Sequence, residues 1–96
     1  MPMYIVAQFH ARQGSNEQLR GSLLEILEPT RAEPGCIEIH LYRALEDPAT
    51  FFIHSSWREK EDFEKHAGLP HMKAFLSQVP EWIDHEVRAV RCARLA

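Results

Sequence analysis

Apolar residues crowd the stretch from Tyr4 to Ala11 (YIVAQFHA), which is rich in β-branched and aromatic side chains and closed by Gln13-Gly14, and this predicts a first strand. Beyond that turn the period becomes helical. Leu19, Leu23, Ile26, Leu27 and Thr30 share one face, and Ser15-x-x-Gln18 offers a capping box at the start. Pro29 has no amide proton and biases Glu28 away from helical dihedrals, so a kink or break is expected there. Glu33-Pro34-Gly35 reads as a turn, with Gly35 free to take positive φ. From Cys36 to Leu45, Ile37, Ile39 and Leu41 alternate with Glu38, His40 and Tyr42, a second strand. Asp47-Pro48-Ala49-Thr50 is a tight connection, and Phe51 to Trp57 is a third strand that pairs with the second as a hairpin.

Arg58 to His66 predicts a charged helix that turns Phe63 and the stem of Lys65 inward and ends at Gly68-Leu69-Pro70. Pro70 suits a first helical position, and Met72, Phe75, Leu76 and Val79 then fall on one side until Pro80. Trp82 and Ile83 close the end of the core, and Val87 to Ala93 is a fourth strand. The order β-α-β-β-α-β is that of an α+β ferredoxin-like sandwich, an antiparallel sheet with helices on one face. Strands two and four lie at opposite edges in that topology, which separates Cys36 from Cys92. Strand residues of both parities are apolar, so both sheet faces call for burial. A second copy of the chain covers the open face most economically, as a face-to-face homodimer.

Composition narrows the class. A chain of 96 residues is one domain, residues 1–96, and 45% hydrophobic with 26% charged residues is ordinary for a globular fold. No apolar run reaches the roughly 20 residues of a membrane span. The N-terminus carries no basic region or cleavage pattern, so a cytoplasmic location is expected. The formal net charge of −3 argues against a nucleic-acid partner. Arg88 and Arg91 would point to opposite faces of a strand and form no basic stripe. The two cysteines lack C-x-x-C spacing and read as unpaired thiols of a reducing compartment.

Candidate chemistry gathers late in the chain. Trp57 ends the third strand, as a core filler or as an aromatic platform. His66 and His71 are separated by a helix break, and no cysteine or second carboxylate completes a set with them, so no metal is expected. His66 at a helix C-terminus can cap carbonyls. His71 stands in the first turn of the next helix, where the positive helix end and burial would leave a neutral ring able to accept a proton. His40 and His54 lie on paired strands and suit a solvated or interface role, while His10 and His85 give no signal. No Gly-rich phosphate loop is present, so no cofactor is implied.

Glu33-Pro34-Gly35-Cys36, Asp47-Pro48, the strand ending in Trp57, His66 nine residues on, and Pro70-His71-Met72-Lys73-Ala74 together resemble the antibiotic biosynthesis monooxygenase family over nearly the whole chain. The resemblance implies a dimeric α+β barrel with a pocket in each protomer between helices and sheet. The family includes cofactor-free oxygenases of anthrones and quinols, haem-degrading oxygenases and a sugar-phosphate isomerase. This chain departs from its patterns at Ser55, which replaces the acid of a Glu-x-Trp motif, and at Ile53 and Phe63, where polyketide oxygenases carry Asn and Tyr. Phe75 stands where haem-degrading members carry an axial His, which disfavours haem. The resulting expectation is a cofactor-independent monooxygenase acting with O2 on an aromatic quinol or anthrone. His71 would be base or proton shuttle, with His66 beside it and Trp57 as aromatic wall, and Ile53, Ser55, Phe63, Met72 and Phe75 would line the pocket. The alternatives are a proton-transfer isomerase of a small hydroxy-ketone, or a non-catalytic small-molecule binding or detoxification module.

Overall fold

The structure, a computed structural model, describes residues 1–96. Strand β1 (Met3–His10) is followed by helices α1 (Asn16–Glu25) and α2 (Leu27–Arg31), then by β2 (Cys36–Arg43) and β3 (Thr50–Trp57). Helices α3 (Lys60–His66) and α4 (Pro70–Gln78), a 3-10 turn at Val79–Glu81 and β4 (Arg88–Cys92) complete the chain. The strands form one antiparallel sheet in the order β2-β3-β1-β4, the expected ferredoxin-like arrangement. Cys36 and Cys92 are on its opposite edges and unpaired. Gly14, at φ +86°, makes the turn out of β1 in a conformation that costs other residues.

Period-two alternation puts Ile5, Ala7 and Phe9 of β1, Ile39 of β2 and Phe51 and Ile53 of β3 in the core beneath the helices. The predicted helical stripe meets them: Leu19, Leu23, Ile26, Leu27 and Thr30 are all buried. Each large apolar side chain so buried contributes on the order of 1.5–3 kcal/mol, so packing rather than helix propensity holds these short helices. The other sheet face is not covered by any segment of the chain. On it Val6, Tyr42 and Val90 are 38%, 53% and 54% exposed, Tyr4 stacks on His54, and His40 pairs with His54 across the strands.

Several local expectations are corrected. The helix break falls at Ile26, and Glu28 and Pro29 lie inside α2. A proline ring clashes with the carbonyl four residues before it, here Glu25, so the disruption appears one turn upstream, while Pro29 occupies a first-turn position whose amide needs no partner. Ser15 makes no side-chain capping bond. A register shift between Cys36 and Glu38 turns Ile37 out of the sheet to 52% exposure. Lys65 and Leu76 are exposed, and it is His66 that α3 turns inward. Gly35 does not take positive φ. It is glycine because a Cβ there would collide with the Asp62 side chain. No helix is long and apolar enough to cross a membrane.

Candidate active site

Between the helices and the sheet lies a cavity of about 180 Å³. Thirteen of its 15 lining residues are hydrophobic, so a ligand entering it leaves its water behind. Ile53, Phe63, Met72 and Phe75, four of the pocket positions read from sequence, line it together with Ser55 and His66. Ser55 and His66 are its two polar side chains. Trp57 and His71, also singled out in the sequence, are not part of the lining.

Trp57 is 1% exposed and lies behind the site. Its ring centroid is 4.8 Å from that of His66 and 5.7 Å from that of Phe63, and its indole Nε1–H donates to Ser55 Oγ at 3.0 Å. The Ser55 hydroxyl is therefore engaged by the neighbouring tryptophan. His66 does not cap its helix. Its side chain is 7% exposed, and Nδ1 lies 2.6 Å from Oε2 of Glu33, itself 8% exposed. The same carboxylate oxygen is 3.0 Å from His71 Nε2, which is also 3.4 Å from Thr30 Oγ1. Beyond Glu33, His71 opens onto a separate shallow depression with Glu25, Ala74 and Gln78.

One carboxylate thus faces an imidazole nitrogen on either side, the inner ring at the cavity and the outer ring toward solvent. Glu33 can only accept when ionised, so it fixes the neutral His66 tautomer with the proton on Nδ1. That leaves Nε2, which makes no hydrogen bond within the chain, as the acceptor. Burial pushes the His66 pKa below its ordinary value against the opposing effects of the Glu33 hydrogen bond and charge, and His71 adds a smaller lowering. His66 is accordingly a neutral ring near pH 7, the form a general base needs. Cys36 shows no activation: burial, with the Glu33 charge second, pushes its thiol up.

Three separate segments converge here. Glu33 opens a turn closed by the Cys36 amide on the Glu33 carbonyl at 3.1 Å, and the Arg58 amide binds the Gly35 carbonyl at 3.0 Å. This ties the turn to the chain entering α3. His66 ends α3 and His71 sits in the first turn of α4, so the helix break that spoils regular spacing brings the two rings to 5.8 Å. Glu33 and Thr30 were not among the sequence candidates. The available signal was Thr30, a polar residue on an otherwise apolar stripe three positions before an acid. No cysteine or second carboxylate was expected to complete a set with the two histidines, and the same geometry places one carboxylate, that of Glu33, between them. Oε2 of Glu33, Nδ1 of His66 and Nε2 of His71 lie within 4.8 Å of one another, a donor set able to hold a metal ion.

The sequence model of a family described as "Antibiotic biosynthesis monooxygenase" matches residues 2–78. The Mycobacterium tuberculosis protein named "Putative monooxygenase Rv0793" is 30% identical over 94 residues, 98% of this chain and 92% of that protein. The solved structure of Rv0793 matches with a TM-score of 0.95 at 28% identity, covering 100% of this chain and 97% of the other. PA3566 from Pseudomonas aeruginosa matches with a TM-score of 0.93 at 27% identity, covering 99% and 95%.

Proposed function

The chain belongs to the antibiotic biosynthesis monooxygenase family, and from that premise we propose that it is a cofactor-independent monooxygenase of an electron-rich aromatic, a quinol or anthrone-type phenol, with His66 as the base. The observation that carries this reading is the buried His66–Glu33 pair on the wall of an apolar cavity. His66 Nε2 takes a proton from the bound substrate, and Glu33 stabilises the imidazolium that results. The substrate anion then passes an electron to O2, and recombination forms a carbon–oxygen bond. One oxygen atom stays in the product and the other leaves as water, with all four electrons drawn from the substrate. The protein supplies proton removal, positioning and exclusion of water. The proton held on His66 Nε2 is returned to the oxygen that departs as water, which restores the neutral ring. His71 holds Glu33 from the outer side rather than acting as the base, and Trp57 is the support behind the His66 ring rather than a surface for substrate.

The cavity narrows the substrate. Its volume of about 180 Å³ is below the roughly 300 Å³ at which pockets for drug-sized ligands begin. That favours a phenol of one or two rings over a fused three-ring anthrone. Oxygen uptake by purified protein against quinols and anthrones of increasing size tests the reading. Uptake is expected with the smaller members and a loss of about 10²-fold or more in His66→Ala. An unchanged rate in that variant would remove His66 from the mechanism. The same dyad moves protons without oxygen, so isomerisation of a small hydroxy-ketone is the second reading, and product formed under strict anaerobiosis would select it.

We further propose that two copies pack their open sheet faces together, because Val6, Tyr42 and Val90 otherwise remain in water. Unpaired Cys36 and Cys92 fit a reducing cytoplasmic setting.

A further inference from the structure

We propose that Glu33, His66 and His71 form a binding site for a divalent first-row transition-metal ion, with zinc the ion best suited to the donors, and that the bound ion switches off His66 as a base. Two imidazoles and one carboxylate are donors of the borderline kind such ions prefer. They come from three segments fixed by packing, and their side chains are 7%, 21% and 8% exposed for His66, His71 and Glu33. The carboxylate oxygen stands 2.6 and 3.0 Å from the two nitrogens. Adjacent donors around an ion with bonds of about 2.0–2.1 Å are separated by roughly 3.0–3.4 Å. Coordination therefore opens the carboxylate oxygen by a few tenths of an ångström from each nitrogen and brings the two nitrogens, which lie within 4.8 Å, toward the same separation. The ion takes the place of the protons now lying between the carboxylate and the two rings, and three protein donors leave a fourth position for water.

The consequence for catalysis rests on the function proposed above, while the binding does not. An ion on Nδ1 leaves the ring proton of His66 on Nε2, which then donates and can no longer abstract. The chain also carries a comparison site, His10, Asp84 and His85, whose donor atoms gather equally closely. It is more exposed, and both nitrogens of His10 already face carboxylates, Asp84 at 2.7 Å and Asp47 at 3.3 Å.

Cobalt(II) titration of chelator-treated protein, followed by visible ligand-field absorption, tests the site without requiring a substrate. Saturation at one ion per chain is expected, with reversal by zinc, loss of the bands in His71→Ala and in His71→Gln, and retention in His10→Ala. Thermal melts of each variant establish that it is folded. Absence of bands in the wild type, their persistence in both folded His71 variants, or their loss in His10→Ala would each overturn the assignment. If a substrate turns over, zinc should inhibit wild type at stoichiometric loading. Full activity of the zinc-loaded protein would refute the switch while leaving the cobalt result intact.

Discussion

Replacing Glu33 by Gln tests the central arrangement with the smallest change of shape. The Glu33 side chain whose one oxygen serves two imidazoles is 8% exposed, so water cannot easily replace what is lost. An amide oxygen in the place of Oε2 can still accept from both rings, but it carries no charge, and the amide beside it can also present its donor nitrogen instead. Both bonds therefore lose their charge assistance. Hydrogen bonds to a charged group contribute about 1.5–3 kcal/mol and neutral ones about 1 kcal/mol. Reducing both from the former to the latter predicts a destabilisation of about 2–3 kcal/mol, or roughly 10–20 °C in Tm for a domain of this size. The effect on turnover should be larger in proportion. Without the carboxylate the His66 tautomer is no longer fixed and its imidazolium is no longer stabilised, and a fall of about 10²-fold or more is expected. Calorimetry reads the first quantity, and long-range proton–nitrogen NMR of the imidazoles reads the tautomer directly. A Glu33→Gln variant with wild-type Tm and unchanged His66 nitrogen shifts would refute the claim that Glu33 holds this ring, whatever the substrate proves to be.

The pH dependence follows from the lowered His66 pKa. Between that value and the ordinary range near 6.5 the unfolded chain binds more protons than the folded one. The contribution to stability is therefore complete above pH 6.5 and declines as pH falls through the folded pKa. Denaturant midpoints across pH 4–8 should show this loss, and a His66→Gln variant that retained the same slope would remove His66 as its source. Ser55→Ala leaves the buried Trp57 Nε1–H without an acceptor and should cost about 1–3 kcal/mol with little effect on KM. A selective rise in KM at unchanged stability would instead make Ser55 a substrate ligand. Gly35→Ala drives a Cβ into Asp62 and should destabilise by about 1–3 kcal/mol. Asp62→Ala should relieve part of that cost, and additive effects of the two changes would contradict the contact. Light scattering at micromolar concentration should give a dimer that Val6→Glu converts to monomer, whereas a monomeric wild type would remove the face-to-face pairing.

The fold was legible because each strong pattern had one physical reading. Period-two alternation in β1 and β3 and the stripe from Leu19 to Thr30 determine which faces are buried, and topology follows from their order. Patterns failed where one residue's effect falls elsewhere in the chain. Pro29 perturbs the carbonyl of Glu25, and the β2 irregularity removes Ile37 from an alternation that looks regular in sequence. His71 was preferred over His66 because helix N-termini and burial act on any ring placed there. Which histidine faces the cavity depends on how α3 rotates against β3, and no local pattern encodes that rotation.

Ser55 and Glu33 divide the polar contacts of this site between a strand and a turn. An acid two residues before Trp57 would lie on β3, on the helix-facing side of the sheet. Here a hydroxyl occupies that position and serves the indole. The carboxylate reaches His66 from Glu33, 33 residues away in sequence and on the turn that enters β2. Placing the negative charge behind the imidazole keeps the cavity itself apolar. Charge then appears there only when His66 takes a proton, and it appears beside the carboxylate that stabilises it. Such an arrangement stabilises the product of proton transfer more than the resting state, which is the condition for accelerating that step. A carboxylate on the cavity wall would instead have to be desolvated with every binding event. The Ser55→Glu variant separates the two designs. It should bind neutral aromatics more weakly and gain no rate. An increase in turnover would mean that the wall position, and not Glu33, is where this chemistry needs its charge.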